Sequence, residues 1–341
     1  MPRLSHIFDI TPVEREVVLE TVDAAYEVAR SCRFDGRGWL LLPEEGTREL
    51  LYSRAEELGI IDPETAERGR RERHEAVERL QEGTLSPERA EELAIGASTL
   101  ALQLQSGNHL APYSHYLVAE LSPEGVPIEP ADEDKGWSGT GLTITSWDEE
   151  AAASVDFAMP DTRGSQGPPV TSGTVVHDTA TARLTGSMRI QIPGRGAWLR
   201  SATGAVTIDT NAWYLALDGE GDGTSPALLE AEHRLVRVRA WLAPTRGDDG
   251  RWVVEAVLDV RGRGVFRPVV AMMLWALRSS IRRADAKSAR RGDGEPTIRE
   301  RLYHHGCAWD RLARNAPYLP GFLREVARAL VDAAPDQRPD R

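Results

Sequence analysis

Lysine is almost missing from this chain: Lys135 and Lys287 are the two it has in 341 residues, and every other basic side chain is arginine. A Walker-type phosphate loop needs a lysine after its glycines, and no G-x-x-x-x-G-K-[ST] string occurs. The bias reads as codon usage of a GC-rich bacterial genome. Cys32 and Cys307 cannot staple a chain of this size, so a disulfide framework is excluded. There is no C-x-x-C and no H-E-x-x-H, so the usual zinc spacings are absent. There is also no G-x-S-x-G elbow and no G-x-G-x-x-G between a strand and a helix. The expectation is a protein with no metal and no cofactor.

Long apolar runs are short in supply too. The longest, 265–277, is interrupted by Arg267 and falls below the ~20 residues a bilayer needs. The first residues, Met1 to Ile7, lack the charged region and apolar run of a signal peptide. Membrane insertion is not expected, and the default location is the reduced cytoplasm. Positive charge is outnumbered, with 41 Lys and Arg against 53 Asp and Glu, a net charge of −12 and a pI near 5.3. Such a chain repels phosphate backbones, so nucleic acid is not an expected partner. The local arginine clusters at 68–73 and 278–291 sit beside acids on predicted helices and read as solvated faces.

What is present supports a sizeable core: 41% hydrophobic residues, 28% charged, mean hydropathy −0.39. Thr11-Pro12-Val13-Glu14 has the form of a capping box, and a helix is predicted behind it to about residue 30. Further helices are predicted over 44–58, closed by Gly59, over a charge-rich stretch from Asp62 to Gly83, and from Ser86 to Ser106. Strands are expected over 115–121, 142–147, 153–159, 174–177, 182–192, 205–208 and 212–217. A short helix is expected over 226–232, with the loop 218–223 before it. The last two helices are placed at 297–313 and 320–334. The domain reading is a helical region 1–110, a sheet with its helix 111–292, C-terminal helices 293–334 and a disordered tail 335–341.

The most informative stretch runs from about 232 to 290. In the first strand Val236, Val238, Ala240 and Leu242 alternate with Arg237, Arg239 and Trp241, which is period-two spacing. Arg246-Gly247-Asp248-Asp249-Gly250 has turn chemistry, and Trp252 to Val260 forms the return strand. Gly262 and Gly264 turn the chain, Pro268 suits a first helical turn, and an apolar helix follows over about 266–290. It is apolar almost all round, so it must be covered on several sides. This succession, with Val260-Arg261-Gly262-Arg263-Gly264-Val265-Phe266-Arg267-Pro268 at its corner, resembles the helix-grip architecture of the START-like superfamily, which includes polyketide cyclases. The resemblance implies an α+β fold in which a curved antiparallel sheet grips the helix and leaves a cavity. The superfamily has no catalytic signature, so the resemblance carries over no functional residue.

The polar groups inside apolar strands are the candidate chemistry. His177 beside Asp178, Tyr214 and Arg189 are the candidate catalytic residues, as proton donors, acceptors or anchors for a carbonyl. Trp198, Trp213, Trp241 and Trp275 with Met272 and Met273 are the candidate walls of a ligand site. His304, His305 and Cys307 place three ligand-type side chains together, but neighbours on a helix point apart. The function expected is a cofactor-free, cyclase- or lyase-type enzyme acting on a hydrophobic small molecule of a bacterial biosynthetic pathway. Two alternatives remain: a non-catalytic carrier or sensor of such a ligand, and an interaction protein without a pocket. A homodimer is allowed.

Overall fold

The computed structural model describes residues 3–61, 99–121, 139–159, 171–191, 201–263, 272 and 298–333. Its strands are β1 (Arg3–Ile10), β2 (Thr99–Ser106), β3 (His115–Leu121), β4 (Thr140–Trp147), β5 (Ala152–Met159), β6 (Thr171–Asp178), β7 (Arg183–Gln191), β8 (Ser201–Asp209), β9 (Ala227–His233), β10 (Val236–Arg246) and β11 (Trp252–Gly262). The helices are α1 (Arg15–Ser31), α2 (Glu45–Glu57), α3 (Thr210–Leu217), α4 (Ile298–Asn315) and α5 (Leu319–Asp332). The strands make one antiparallel sheet in the order β1-β11-β10-β9-β8-β7-β6-β5-β4-β3-β2. Each neighbour in space is a neighbour in sequence except β1, which returns to lie beside β11. The helix expected at 266–290 lies outside the described residues apart from Met272, which is helical and exposed. The helix at 62–83 and the tail 335–341 also lie outside them.

The chain divides into two compact units, each discontinuous in sequence. One comprises Met1–Glu16, Asp148–Ser154 and Val170–Arg314, the other Val17–Trp147, Val155–Pro169 and Asn315–Arg341.

In the first unit the β10–β11 hairpin forms as its alternation predicts. Gly247 donates to the Arg251 carbonyl across the turn, and Gly250 takes a φ of 82°, a left-handed conformation that suits glycine. β1, which the sequence reading leaves out, has only a blurred signal in the sequence. Leu4, His6, Phe8 and Ile10 face one way and Arg3, Ser5, Ile7 and Asp9 the other. A histidine in the apolar row and an isoleucine in the polar row blur the pattern. Pairing with β11 places Phe8 opposite Val254 and Ile10 opposite Trp252. These four and Leu217 of α3 form the buried core, each worth roughly 1.5–3 kcal/mol on burial.

Two predicted elements exchange character. The stretch 212–217, expected as a strand, is helix α3, and 226–232, expected as a helix, is strand β9. The Asp209 carboxylate accepts from the Ala212 N–H at 2.8 Å and starts α3 as its N-cap. In a helix Trp213 and Tyr214 are not forced to opposite sides. Both rings reach Trp252, with centroids 6.0 and 5.8 Å away. β9 has good helix formers, but β8 and β10 pair with it on both edges, and tertiary context overrides propensity.

α4 packs on Phe8 through Gly306 and Trp309. A Cβ at Gly306 would lie 2.6 Å from Phe8 Cδ1, so glycine is what allows this approach. Trp309 stacks on Phe8 with ring centroids 5.2 Å apart. Asp310 then clamps α4 to the sheet. Its Oδ1 accepts from the Thr11 N–H at 2.8 Å, the Thr11 hydroxyl at 2.9 Å and Arg251 Nη2 at 2.6 Å. Arg314 reaches its other oxygen at 3.2 Å. Thr11 is thereby committed to Asp310, and α1 begins at Arg15 instead of at Pro12, where the capping box predicts its first residue.

In the second unit Ser86–Ser106 was expected to be helical, yet Thr99–Ser106 is strand β2. Leu100, Leu102 and Leu104 alternate with Ala101, Gln103 and Gln105, and that period of two wins where β3 is at hand to pair. The edge of β2 is closed by the chain at Gly38–Leu40: Leu40 N–H donates to the Leu102 carbonyl and Leu104 N–H to the Gly38 carbonyl. Gly38, with a φ of 83°, sits against the Leu104 carbonyl where a Cβ would clash. α1, α2 and α5 form where helices were predicted.

Burial works to raise the Asp310 pKa, but the hydrogen bonds from Thr11 and Arg251 outweigh it and hold the carboxyl below its usual value. A depressed carboxylate pKa contributes stability above the unfolded value and loses it as pH falls through the folded one. Asp310→Asn is therefore expected to lose about 2 kcal/mol at neutral pH, the scale of hydrogen bonds to a charged group. Urea denaturation should show the gap to wild type closing as the pH drops below about 4.

Candidate functional site

A groove of about 430 Å³ lies in the first unit on β1, β11, β10, β9 and β8. The strand registers show how it is built. Leu4, Leu258, Ala240, Leu229 and Val206 stand side by side across these strands. The next row on the same face is His6, Ala256, Leu242, Ala227 and Ile208. Phe8 closes one end. Within the rows large and small side chains trade places from strand to strand, so Ala256, Ala240 and Ala227 trace a shallow zigzag path between leucines. Adjacent strands are ~4.8 Å apart, so the trough crosses the sheet for roughly 19 Å. Its walls are half exposed, with Leu229 at 41% and Ile208 at 43%. On this face the lining is apolar at every described position but His6, whose ring meets Phe8 edge-on at 4.6 Å.

The opposite face of the same strands mixes apolar side chains, among them the buried Val257, with charged ones that pair with each other. Glu230 takes Arg237 at 3.0 Å and Arg239 at 2.8 Å, and Glu232 takes Arg237 at 3.2 Å. Such exposed pairs add little stability, about 0–1 kcal/mol each, but they use the arginines the sequence places on that row. Trp241 belongs to this face, where Arg3 lies 4.7 Å over its ring, and it borders the groove from the row between the two apolar ones.

The structure does not bring the candidate catalytic residues together. His177 shares the row of His6, through Leu184 and Ile208, but stands two strands beyond the groove. Partial burial lowers its pKa, and the charge of Asp178 works the other way. Arg189 is exposed and, five residues along β7 from Leu184, points to the other side of the sheet. Tyr214 sits in the core end of α3 and donates its hydroxyl to the Val13 carbonyl at 2.8 Å. Its pKa rises to about 12, mainly through burial, with the charge of Glu16 adding to it. Among the candidate ligand residues, Trp213 packs in the core, Trp241 borders the groove and Met272 is 63% exposed. Trp198, Met273 and Trp275 lie outside the described residues. So does the His304 side chain, while His305 and Cys307 are exposed on α4. Among the described residues no three His, Cys, Asp or Glu side chains gather as a metal site, and no helix is long and apolar enough to cross a membrane.

Sequence reasoning missed His6, Leu4 and Phe8 because it missed β1. The available signal was the alternation from Arg3 to Ile10.

A second polar cluster belongs to the other unit. His109 Nε2 donates to the Ala29 carbonyl at 2.8 Å, at the end of α1. Its Nδ1 accepts from the buried Tyr116 hydroxyl at 2.9 Å, and that oxygen accepts from the Leu110 N–H at 2.8 Å. Only a neutral ring satisfies every partner in this chain. Phe34 covers both rings, with centroids 5.0 and 6.0 Å away. Leu110 and Tyr113 take positive φ values of 59° and 66°, so this loop carries backbone strain that the network holds in place.

Against known proteins, the chain matches no family model, no curated protein and no solved structure.

Burial lowers the His109 pKa, against the bond to Ala29. The unfolded chain then binds the proton first, so stability falls as pH drops from about 6.5 through the lower folded value. His177 adds to the same trend. Replacing His109 by Gln should flatten the dependence of the denaturation midpoint on pH in that window, by up to about one proton in slope.

Proposed function

We propose that this chain binds a hydrophobic small molecule in the groove on the apolar face of β8–β11 and β1. The observation that supports this most is the groove itself: about 430 Å³, within the range of small-molecule sites, lined by apolar side chains with His6 on its face and Ser5 and Thr207 at its border. A zigzag of alanines across these strands is a poor core, because it leaves leucine walls half exposed at a cost of ~25 cal/mol per Å² of apolar surface. A ligand lying along the alanines recovers that burial. A cavity on one face of an antiparallel sheet is also what the resemblance to the START-like superfamily implies. Carriage or sensing is the primary reading, since the lining offers surface and hardly any chemistry.

Cofactor-free cyclisation is the second reading, and His6 is what favours it. An imidazole at the mouth of an apolar trough can take and return a proton while the walls fold the substrate and exclude water. His177, Tyr214 and Arg189 do not meet there.

A thermal-shift series with long-chain fatty acids and polycyclic aromatics tests the site. A binder should stabilise wild type by about 2.7 kcal/mol at a hundredfold excess over its Kd. Ala240→Phe, which fills the path, should abolish the shift while leaving the unliganded melting temperature nearly unchanged. No shift from any apolar ligand, or an equal shift in Ala240→Phe, overturns the reading. His6→Gln should retain binding in either case, and turnover lost only in His6→Gln would select the cyclase.

A further inference from the structure

The two ends of the sheet are finished differently. β2 is closed along its edge by the backbone of Gly38–Leu40. β1 ends the sheet on the other side, and among the described residues no strand pairs with its outer edge. Arg3 and Asp9 are the charged guards of this edge, and β1 has few others. It pairs with β11 residue for residue from Arg3 to Ile10 without a bulge, and it contains no proline and no lysine. It also presents apolar surface: Ile7 is 59% exposed on one face, and on the other Trp309 of α4, whose ring meets Phe8 at a tilt, is 42% exposed. A partly apolar edge of eight residues with no strand paired to it among the described residues is a site for strand addition.

Its sequence is self-complementary when read antiparallel. Two copies related by a two-fold axis normal to the sheet keep like faces together, so side chains pair only within one face. With the axis through His6, Arg3 lies opposite the partner's Asp9, Leu4 opposite the partner's Phe8 and Ser5 opposite the partner's Ile7. Both charged residues of the exposed row are then neutralised, twice over by symmetry. Arg3 leans over Trp241 on its inner side, and the partner's Asp9 approaches from the outer side. Shifting the axis by one residue leaves Arg3 without a partner and sets Asp9 against Ser5.

We infer that β1 is a dimerisation strand that pairs antiparallel with β1 of a second copy about His6, continuing the sheet from one protomer into the next. The apolar face, and with it the groove, then runs across the two-fold axis. The inference rests on the edge and its charges, and holds whether or not the groove binds a ligand.

Sedimentation velocity on the full chain over a wide concentration range tests it with three variants. Wild type should sediment as a dimer. Arg3→Glu and Asp9→Arg each replace two attractive cross-strand pairs by two repulsive ones and should weaken association roughly tenfold or more. The double variant Arg3→Glu/Asp9→Arg restores opposite charges and should dimerise again. Asp9 is exposed, so Asp9→Arg tests the contact without disturbing the core. A wild type that stays monomeric, single variants that associate as wild type does, or a double variant that fails to recover each overturn the inference.

Discussion

The structure of the first unit depends on one pairing, that of β1 with β11. Backbone hydrogen bonds between the start of the chain and a strand some 250 positions later do four things at once. They place Phe8 and Ile10 in the core with Trp252 and Val254. They bring Thr11 within reach of Asp310, and so fix α4 on the sheet. They complete the groove with Leu4 and His6. They also leave β1 with an outer edge that no strand among the described residues pairs with. Separate those two strands and the core, the clamp and the site all lose a wall.

The two faces of this sheet divide the labour by side-chain chemistry. The charged face satisfies itself: Glu230 and Glu232 are held by Arg237 and Arg239 within 2.8–3.2 Å. The apolar face does not. Near the hairpin turn it is filled by α3 and α4, whose aromatic rings close on Trp252 and Phe8. Further along the same strands alanines alternate with leucines, and among the described residues no equivalent ring reaches down. A groove is what remains where the packing of the core stops and the sheet continues.

Much of the local structure could be read before any coordinates. The β10–β11 hairpin was written in Val236, Val238, Ala240 and Leu242 against Arg237 and Arg239, and in the glycines of its turn. α1, α2, α4 and α5 followed from helical periodicity and end signals such as Gly59. The errors share a cause. Thr99–Ser106 and Ala227–His233 are rich in Leu, Ala, Glu and Gln, residues at home in a helix, and became strands because neighbouring strands offered them hydrogen bonds. Ala212–Leu217 looked like a strand, and became a helix because Asp209 could cap it and Trp252 could receive its rings. Of the polar groups that the sequence places in apolar stretches, His177 lies beyond the groove, Tyr214 in the core and Arg189 on the far face.

By itself, then, the sequence decided which residues alternate, where turns and caps fall, and that an antiparallel sheet with flanking helices would form. These are properties of near neighbours, set by backbone sterics and side-chain period. Only the tertiary structure decided which strand lies beside which, that the N-terminal segment is a strand at all, and that His6 faces the alanines. Those outcomes depend on partners such as Thr11 and Asp310, 299 positions apart, whose meeting no local pattern encodes.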